Sequence, residues 1–312
     1  MASLLAVEVP RNAWRRAGLL AAGVCFGCGA STPGASAGEP DAGWSMPNAR
    51  GSGLPAEQSF AVRTVAGDEL VEDRVTGLTW QRNASANGRS WQAAQDYCES
   101  LSYGGSSAWA LPTRLELVSL LDNTRITPAI DLQAFPNTLA EWFWSSTPFA
   151  GEAARAWHVY FYPGAPDVDD IASTFLARCV ARPQGAPPKE RFRAGANTVR
   201  DLWFGLTWQR HVAEESFSFA LAGEYCAALE LDGERGFRVP SMKELTTLVD
   251  ETRVEPAIDL EAFPEAPNAS FWSSTPWAFT PAAAWHVRFQ TGIALYETAT
   301  DAYRVRCVRS TP

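Results

Sequence analysis

Lysine is almost missing from this chain: Lys189 and Lys243 are the only two, and arginine supplies the rest of the positive charge. Basic residues number 26 against 35 acidic ones, a formal net charge of −9. A chain this acidic offers no basic face for phosphate, which argues against nucleic acid as a partner. Histidine is scarce as well, with only His158, His211 and His286. No His-Glu-x-x-His, Gly-x-Ser-x-Gly or phosphate-loop string occurs, so the common signatures of metalloprotease, serine hydrolase and nucleotide chemistry are absent. No apolar run approaches the length needed to cross a bilayer core of about 30 Å. The expectation is a protein without catalytic residues, cofactor or metal.

Aromatic residues and cysteines are what the chain does have. An apolar fraction of 46% and 13 Trp belong to a folded protein rather than a disordered one. A length of 312 residues allows two domains of ordinary size, each closing its own core. Cys98 and Cys179 are 81 residues apart, and so are Cys226 and Cys307. The spacing reads as two disulfides, Cys98–Cys179 and Cys226–Cys307, which implies an oxidising compartment. With all four paired, none is left as a nucleophile.

The N-terminus fits that compartment. Arg11, Arg15 and Arg16 precede an apolar stretch from Ala17 to Gly27, the make-up of a signal peptide. Cys28 resembles the lipidated cysteine of bacterial lipoproteins. Residues 1–28 therefore read as a signal peptide of lipoprotein type. Residues 29–58, rich in Gly, Ala, Pro and Ser, read as a disordered tether that does not pack. The expected location is the bacterial cell envelope, lipid-anchored or secreted, with the lipid as the only membrane contact.

Beyond residue 58 the chain repeats itself. Phe-Trp-Ser-Ser-Thr-Pro at 143–148 recurs at 271–276, and Ala-Trp-His-Val at 156–159 recurs at 284–287. Gly-Leu-Thr-Trp-Gln-Arg at 77–82 returns at 205–210, and Arg-Cys-Val at 178–180 returns at 306–308, all 128 residues on. Two domains follow, 59–183 and 190–310, with a linker over 184–189. Each reads as α+β. A hairpin-like start precedes a helix capped by Ser90 or Ser218, with Trp91, Ala94, Cys98 and Leu101 as the buried stripe of the first copy. A second helix opens at Thr113–Glu116 and at Ser241–Glu244, both with capping-box spacing. Trp157, Val159 and Phe161 then alternate with His158 and Tyr160, the period of a strand whose Trp face is buried.

That ordered set of motifs resembles the C-terminal domain family of the Legionella collagen-like protein, a bacterial module with a C-type-lectin-like fold. The resemblance spans about 235 residues. It implies two tandem C-type-lectin-like domains, each with two helices and a small twisted, mostly antiparallel sheet closed by one disulfide. It also implies an exported, surface-displayed binding module. The chain departs from the family's namesake in lacking a collagen-like stem. It also lacks the Glu-Pro-Asn and Trp-Asn-Asp triplets of calcium-dependent lectins. Domain 59–183 has 9 basic and 14 acidic residues and domain 190–310 has 12 and 17, so a sulfated ligand is not carried over.

Candidate ligand-contacting residues are Trp142, Arg155, His158 and Tyr160 in the first copy and Trp277, His286 and Arg288 in the second. Trp80, Trp144, Trp208 and Trp272 read as core, and the paired Ser-Ser-Thr runs as turn or strand-end hydroxyls. Asp167, Asp169 and Asp170 read as a solvated acidic loop rather than a calcium site. Recognition is expected in segments that differ between the copies, 137–142, 149–155 and 162–174. The expected partner is an envelope or extracellular polysaccharide. The alternative is a structural or protein-interaction module of the envelope with no glycan affinity.

Overall fold

The computed structural model describes residues 43–183 and 189–311. The signal-peptide reading, Cys28 and most of the linker lie outside the described residues. Repeat 1 runs β1 (Phe60–Val65), β2 (Asp68–Asp73), β3 (Thr79–Gln81), α1 (Trp91–Glu99), α2 (Arg114–Ser119), β4 (Trp142–Pro148), β5 (Arg155–Tyr160), β6 (Ala165–Asp170) and β7 (Val180–Ala181). Repeat 2 runs β8 (Phe192–Ala194), β9 (Thr198–Asp201), β10 (Leu206–Gln209), α3 (Phe219–Ala228), α4 (Met242–Thr247), β11 (Ser270–Pro276), β12 (Ala283–Arg288), β13 (Ile293–Thr298) and β14 (Val308–Ser310). A shift of 128 places α2 on α4, β4 on β11 and β5 on β12 residue for residue.

Each repeat holds two small antiparallel sheets rather than the single sheet expected. In repeat 1 the orders are β1-β2-β3-β7 and β4-β5-β6; in repeat 2 they are β8-β9-β10-β14 and β11-β12-β13. Cys98–Cys179 and Cys226–Cys307 both form, with Cα separations of 5.4 and 5.5 Å, inside the usual range for a disulfide. Each joins the first helix of its repeat to the segment entering its last strand.

The repeated strings prove to be structural parts. Trp144 and Trp272 are fully buried and donate Nε1–H to the carbonyls of Arg89 and Phe217. Ser145 and Ser273 bond the Trp157 and Trp285 carbonyls across the sheet. Thr147 and Thr275 accept the first backbone N–H of α2 and α4, groups a helix cannot satisfy internally. Both capping boxes are complete. Ser90 and Ser218 sit at the N-cap positions of α1 and α3, but neither side chain makes the cap hydrogen bond. Gln81 and Gln209 each join a helix tyrosine hydroxyl to the backbone N–H of the last cysteine. Arg178 and Arg306 are fully buried, bound to carbonyls of the Gln-Arg segment and lying over Phe135 and Phe263. Burial pushes both guanidinium groups down to about 9.

The two repeats do not close separate cores. One cluster runs through both, containing Trp80, Leu117 and Phe143 alongside Trp208, Leu245 and Phe271. Smaller clusters surround each disulfide. The cause lies in the second helices, which are buried throughout except at the half-buried Leu115 and pack on each other. Each also supplies a cation to the carbonyl end of the other, the favourable pole of a helix for positive charge. Arg114 of α2 donates to the Thr246 carbonyl and pairs with Glu251 at 2.6 Å. Lys243 of α4 donates to the carbonyls of Ser119 and Leu121 at 3.2 and 2.7 Å. Trp157 of repeat 1 reaches across to Gly292 of repeat 2, where an added Cβ would lie 2.4 Å from Val249 and 3.3 Å from the indole.

A second correction concerns the expected tether. Residues 43–58 are ordered and act as a strap over both repeats. Trp44 meets Phe204 edge-on at 5.1 Å, and Met46 is 2% exposed. The Gln58 amide donates to the Ser119 and Leu121 carbonyls, and the Asn48 amide reaches Glu244. Composition alone suggested a linker. Two apolar anchors and two amides that share the acceptors of Lys243 and Arg238 dock it.

Candidate functional site

If the shared residues build the fold, recognition belongs to what the repeats do not share. Trp142 opens β4 and Tyr160 closes β5, directly opposite in the strand register. A cross-strand pair at that position brings the rings together: they stack at 4.4 Å with 10° between planes. Trp142 is 37% exposed, Tyr162 packs beside Tyr160 at 5.8 Å, and Phe175 supports Trp142 from below. A shallow groove of about 240 Å³ borders this platform, with Leu139 and Glu141 on its edge. The matching positions in repeat 2 are Ser270, Arg288 and Gln290, so the platform exists once.

Repeat 2 carries an aromatic surface elsewhere. Trp277, just after β11, stacks on Tyr296 of β13 at 4.0 Å and 9°, with Phe279 at 5.2 Å from Trp277 and 67% exposed. Its counterparts in repeat 1, Phe149, Gly151 and Val168, offer no such stack. Phe149 and Val168 instead pack with Trp157 against Val254 and Ile293 of repeat 2.

The other expected contacts are not brought to these surfaces. Arg155 begins β5 while Tyr160 ends it, about 17 Å apart at a strand's rise per residue, and its guanidinium is bound to the Val168 carbonyl. Arg288 is exposed opposite Ser270, away from any platform. His158 and His286 do not project outward, because β5 and β12 are covered on both faces. His158 lies edge-on to Trp144 and Phe175, and His286 lies between Trp272 and Tyr303. Burial drives both imidazoles down to about 4, so both are neutral near pH 7. Asp167, Asp169 and Asp170 belong to strand β6 rather than a loop, and Asp169 and Asp170 bond local backbone and Ser173. Among the described residues no group of three or more His, Cys, Asp or Glu is placed to hold a metal ion.

Sequence reasoning missed one further feature, a cleft of about 560 Å³ where the strap and both repeats meet. Its walls include Asn48 of the strap, Asn123 of repeat 1, and Lys243, Ser274 and Trp277 of repeat 2. The signal for it was the scarcity of lysine itself, since one of the two lysines is buried here. Burial pushes the Lys243 ammonium down to about 7, against the opposing pull of Asp122, Asp73 and Glu244.

The comparison with protein families finds one match within each repeat, starting after β1 and after β8. The Lcl C-terminal domain matches twice, over residues 69–181 and 197–309. No curated protein matches the chain.

Proposed function

The chain belongs to the Lcl C-terminal domain family through both of its repeats, and from that premise we propose an exported surface-binding module that recognises an envelope or extracellular polysaccharide. The observation that carries this reading is the Trp142–Tyr160 stack, flat, accessible and beside a groove. A sugar ring presents an apolar C–H face and a hydroxyl rim, which suits an aromatic plane with polar neighbours better than a charged surface. The Trp277–Tyr296 stack supplies a second plane on the same chain, and two contacts on one repetitive ligand raise avidity without new chemistry. Two helices, two small antiparallel sheets and a helix-to-last-strand disulfide in each repeat support a C-type-lectin-like fold. The paired cysteines support export, and Cys28 is the proposed lipid attachment site. The module binds without turning its ligand over.

Pull-down of the protein on isolated envelope and extracellular polysaccharides, with a glycan array, tests the reading. Trp142→Ala is expected to weaken retention about tenfold, some 1.4 kcal/mol, with the fold unchanged. Absence of any bound glycan would favour the second reading, a protein-interaction module. That alternative has one observation behind it: the exposed apolar Leu139 and Phe279, at 56% and 67%, beside the two platforms.

A further inference from the structure

The cleft between strap and repeats holds two buried polar groups with nothing to bond and a third that is only partly satisfied. The Ser274 hydroxyl and the Trp277 indole N–H are both out of solvent and without a partner. Lys243, 2% exposed, donates two of its three ammonium protons to carbonyls and has no carboxylate partner. Buried donors are almost always satisfied in native proteins, so two orphans beside a part-satisfied ammonium on one cavity ask for a reason. Asn48 and Asn123 add to them. Their amide N–H groups are committed to protein acceptors, Asn48 to Pro55 and Glu244 and Asn123 to Gly164. Both residues line the cleft, and each amide also carries a carbonyl oxygen able to accept.

We propose that this cleft is a further ligand site, distinct from the Trp142–Tyr160 platform and adjoining the Trp277–Tyr296 one, and that it takes a hydroxylated monocarboxylate of the uronic acid type. The carboxylate meets the ammonium of Lys243, the only charged side chain on the lining among the described residues. Ring hydroxyls meet Ser274, the Trp277 N–H and the two amide oxygens, and the indole supplies the apolar wall. One cation suits one negative charge. A dianion such as phosphate or sulfate faces the acidic groups close behind, Asp122, Asp73 and Glu244, in a protein of net charge −9. The volume lies within the ~300–1,000 Å³ of small-molecule sites and accepts a short saccharide.

The site depends on the tandem arrangement. Its walls come from three parts of the chain, and the repeat-1 positions matching Lys243, Ser274 and Trp277 are Leu115, Ser146 and Phe149. A single domain of this family would not possess it.

The test uses the full chain and galacturonic acid, a monocarboxylate, with uncharged galactose as comparator, read by indole fluorescence and calorimetry. Galacturonate is expected to bind at least tenfold more tightly than the neutral sugar. Ala278, exposed on the cleft rim, can be enlarged without touching the core. Ala278→Trp is expected to reduce galacturonate affinity at least tenfold, and Ser274→Ala three- to fivefold. Lys243→Met should abolish the preference for the charged sugar, but it also unpairs helix carbonyls, so Ala278→Trp is the deciding variant. Trp142→Ala should leave this binding unchanged, which separates it from the surface reading. Equal affinity for both sugars, unaltered binding in Ala278→Trp, or no binding of galacturonate would each overturn the proposal.

Discussion

In repeat 1, the capping-box carboxylate Glu116 receives two hydrogen bonds from Arg182, at the chain's exit from β7. In repeat 2, its counterpart Glu244 receives two from Arg238, ahead of α4, and a third from Asn48 of the strap. Position 110, which matches Arg238, is alanine, and position 310, which matches Arg182, is serine. The same buried anion is thus neutralised from opposite sides. The aromatic stacks follow the same rule, Trp142–Tyr160 in one copy and Trp277–Tyr296 at a different edge of the other. What the fold needs is constant in kind, while its supplier is free to move. What binding needs is allowed to differ altogether.

The largest expected effect tests whether the copies are independent. Replacing Cys98 and Cys179 together by alanine, or Cys226 and Cys307, is expected to cost roughly 4 kcal/mol either way, because each bond closes a loop of the same length. Since one core runs through both repeats, calorimetry should show a single transition in either variant. Two resolved transitions would mean that the repeats fold as separate domains after all.

Acid is the next lever. Both buried imidazoles titrate at about 4, against 6.5 in the open chain. Between those values the unfolded chain binds more protons than the native one, so stability falls as pH drops from 6.5 toward 4. The loss is about 3 kcal/mol for each imidazole. His286 has neither ring nitrogen paired, whereas only Nδ1 of His158 is orphaned. His286→Phe should therefore be the better tolerated variant at pH 7, and either variant should flatten the acid limb of a pH–denaturation profile by half.

Exchanging the arginines sharpens the comparison further. Arg182→Ser in repeat 1 is expected to cost about 2 kcal/mol, the worth of hydrogen bonds to a charged group left without them. Adding Ala110→Arg should recover most of it by importing the arrangement of repeat 2, measurable as a restored urea midpoint. The smallest change in stability should come from building a second platform, Ser270→Trp with Arg288→Tyr. It should leave melting within about 0.5 kcal/mol of the parent while raising polysaccharide retention severalfold.

Much of this architecture is legible in the sequence because it is written twice. Repetition exposes the disulfides, the capping boxes and the buried tryptophans, since each rests on local spacing that survives a shift of 128. Burial of His158 and His286 is not legible, because alternation marks one strand face as apolar but does not say what covers the other. The strap escaped for a related reason. Gly, Pro and Ser dominate its composition, while Trp44, Met46, Asn48 and Gln58 decide its fate. The shared core and the cleft arise only when two copies and a leading segment meet, and no periodicity within one copy records that meeting. Of the candidate contacts, Trp142 and Tyr160 came together because their strands pair in register; Arg155 shares a strand with Tyr160 but starts its far end.

The strap gives the molecule a mechanical polarity. Tension applied ahead of Gly43 reaches the contacts of Trp44, Met46 and Asn48 before it reaches β1, so the clasp peels first while both disulfide-closed bodies stay intact. Stretching a single molecule by its N-terminal end should yield an early slack of about 55 Å, the contour of some 16 residues, and only then the rupture of the core. A protein fastened to a surface at that end would carry its own shock absorber.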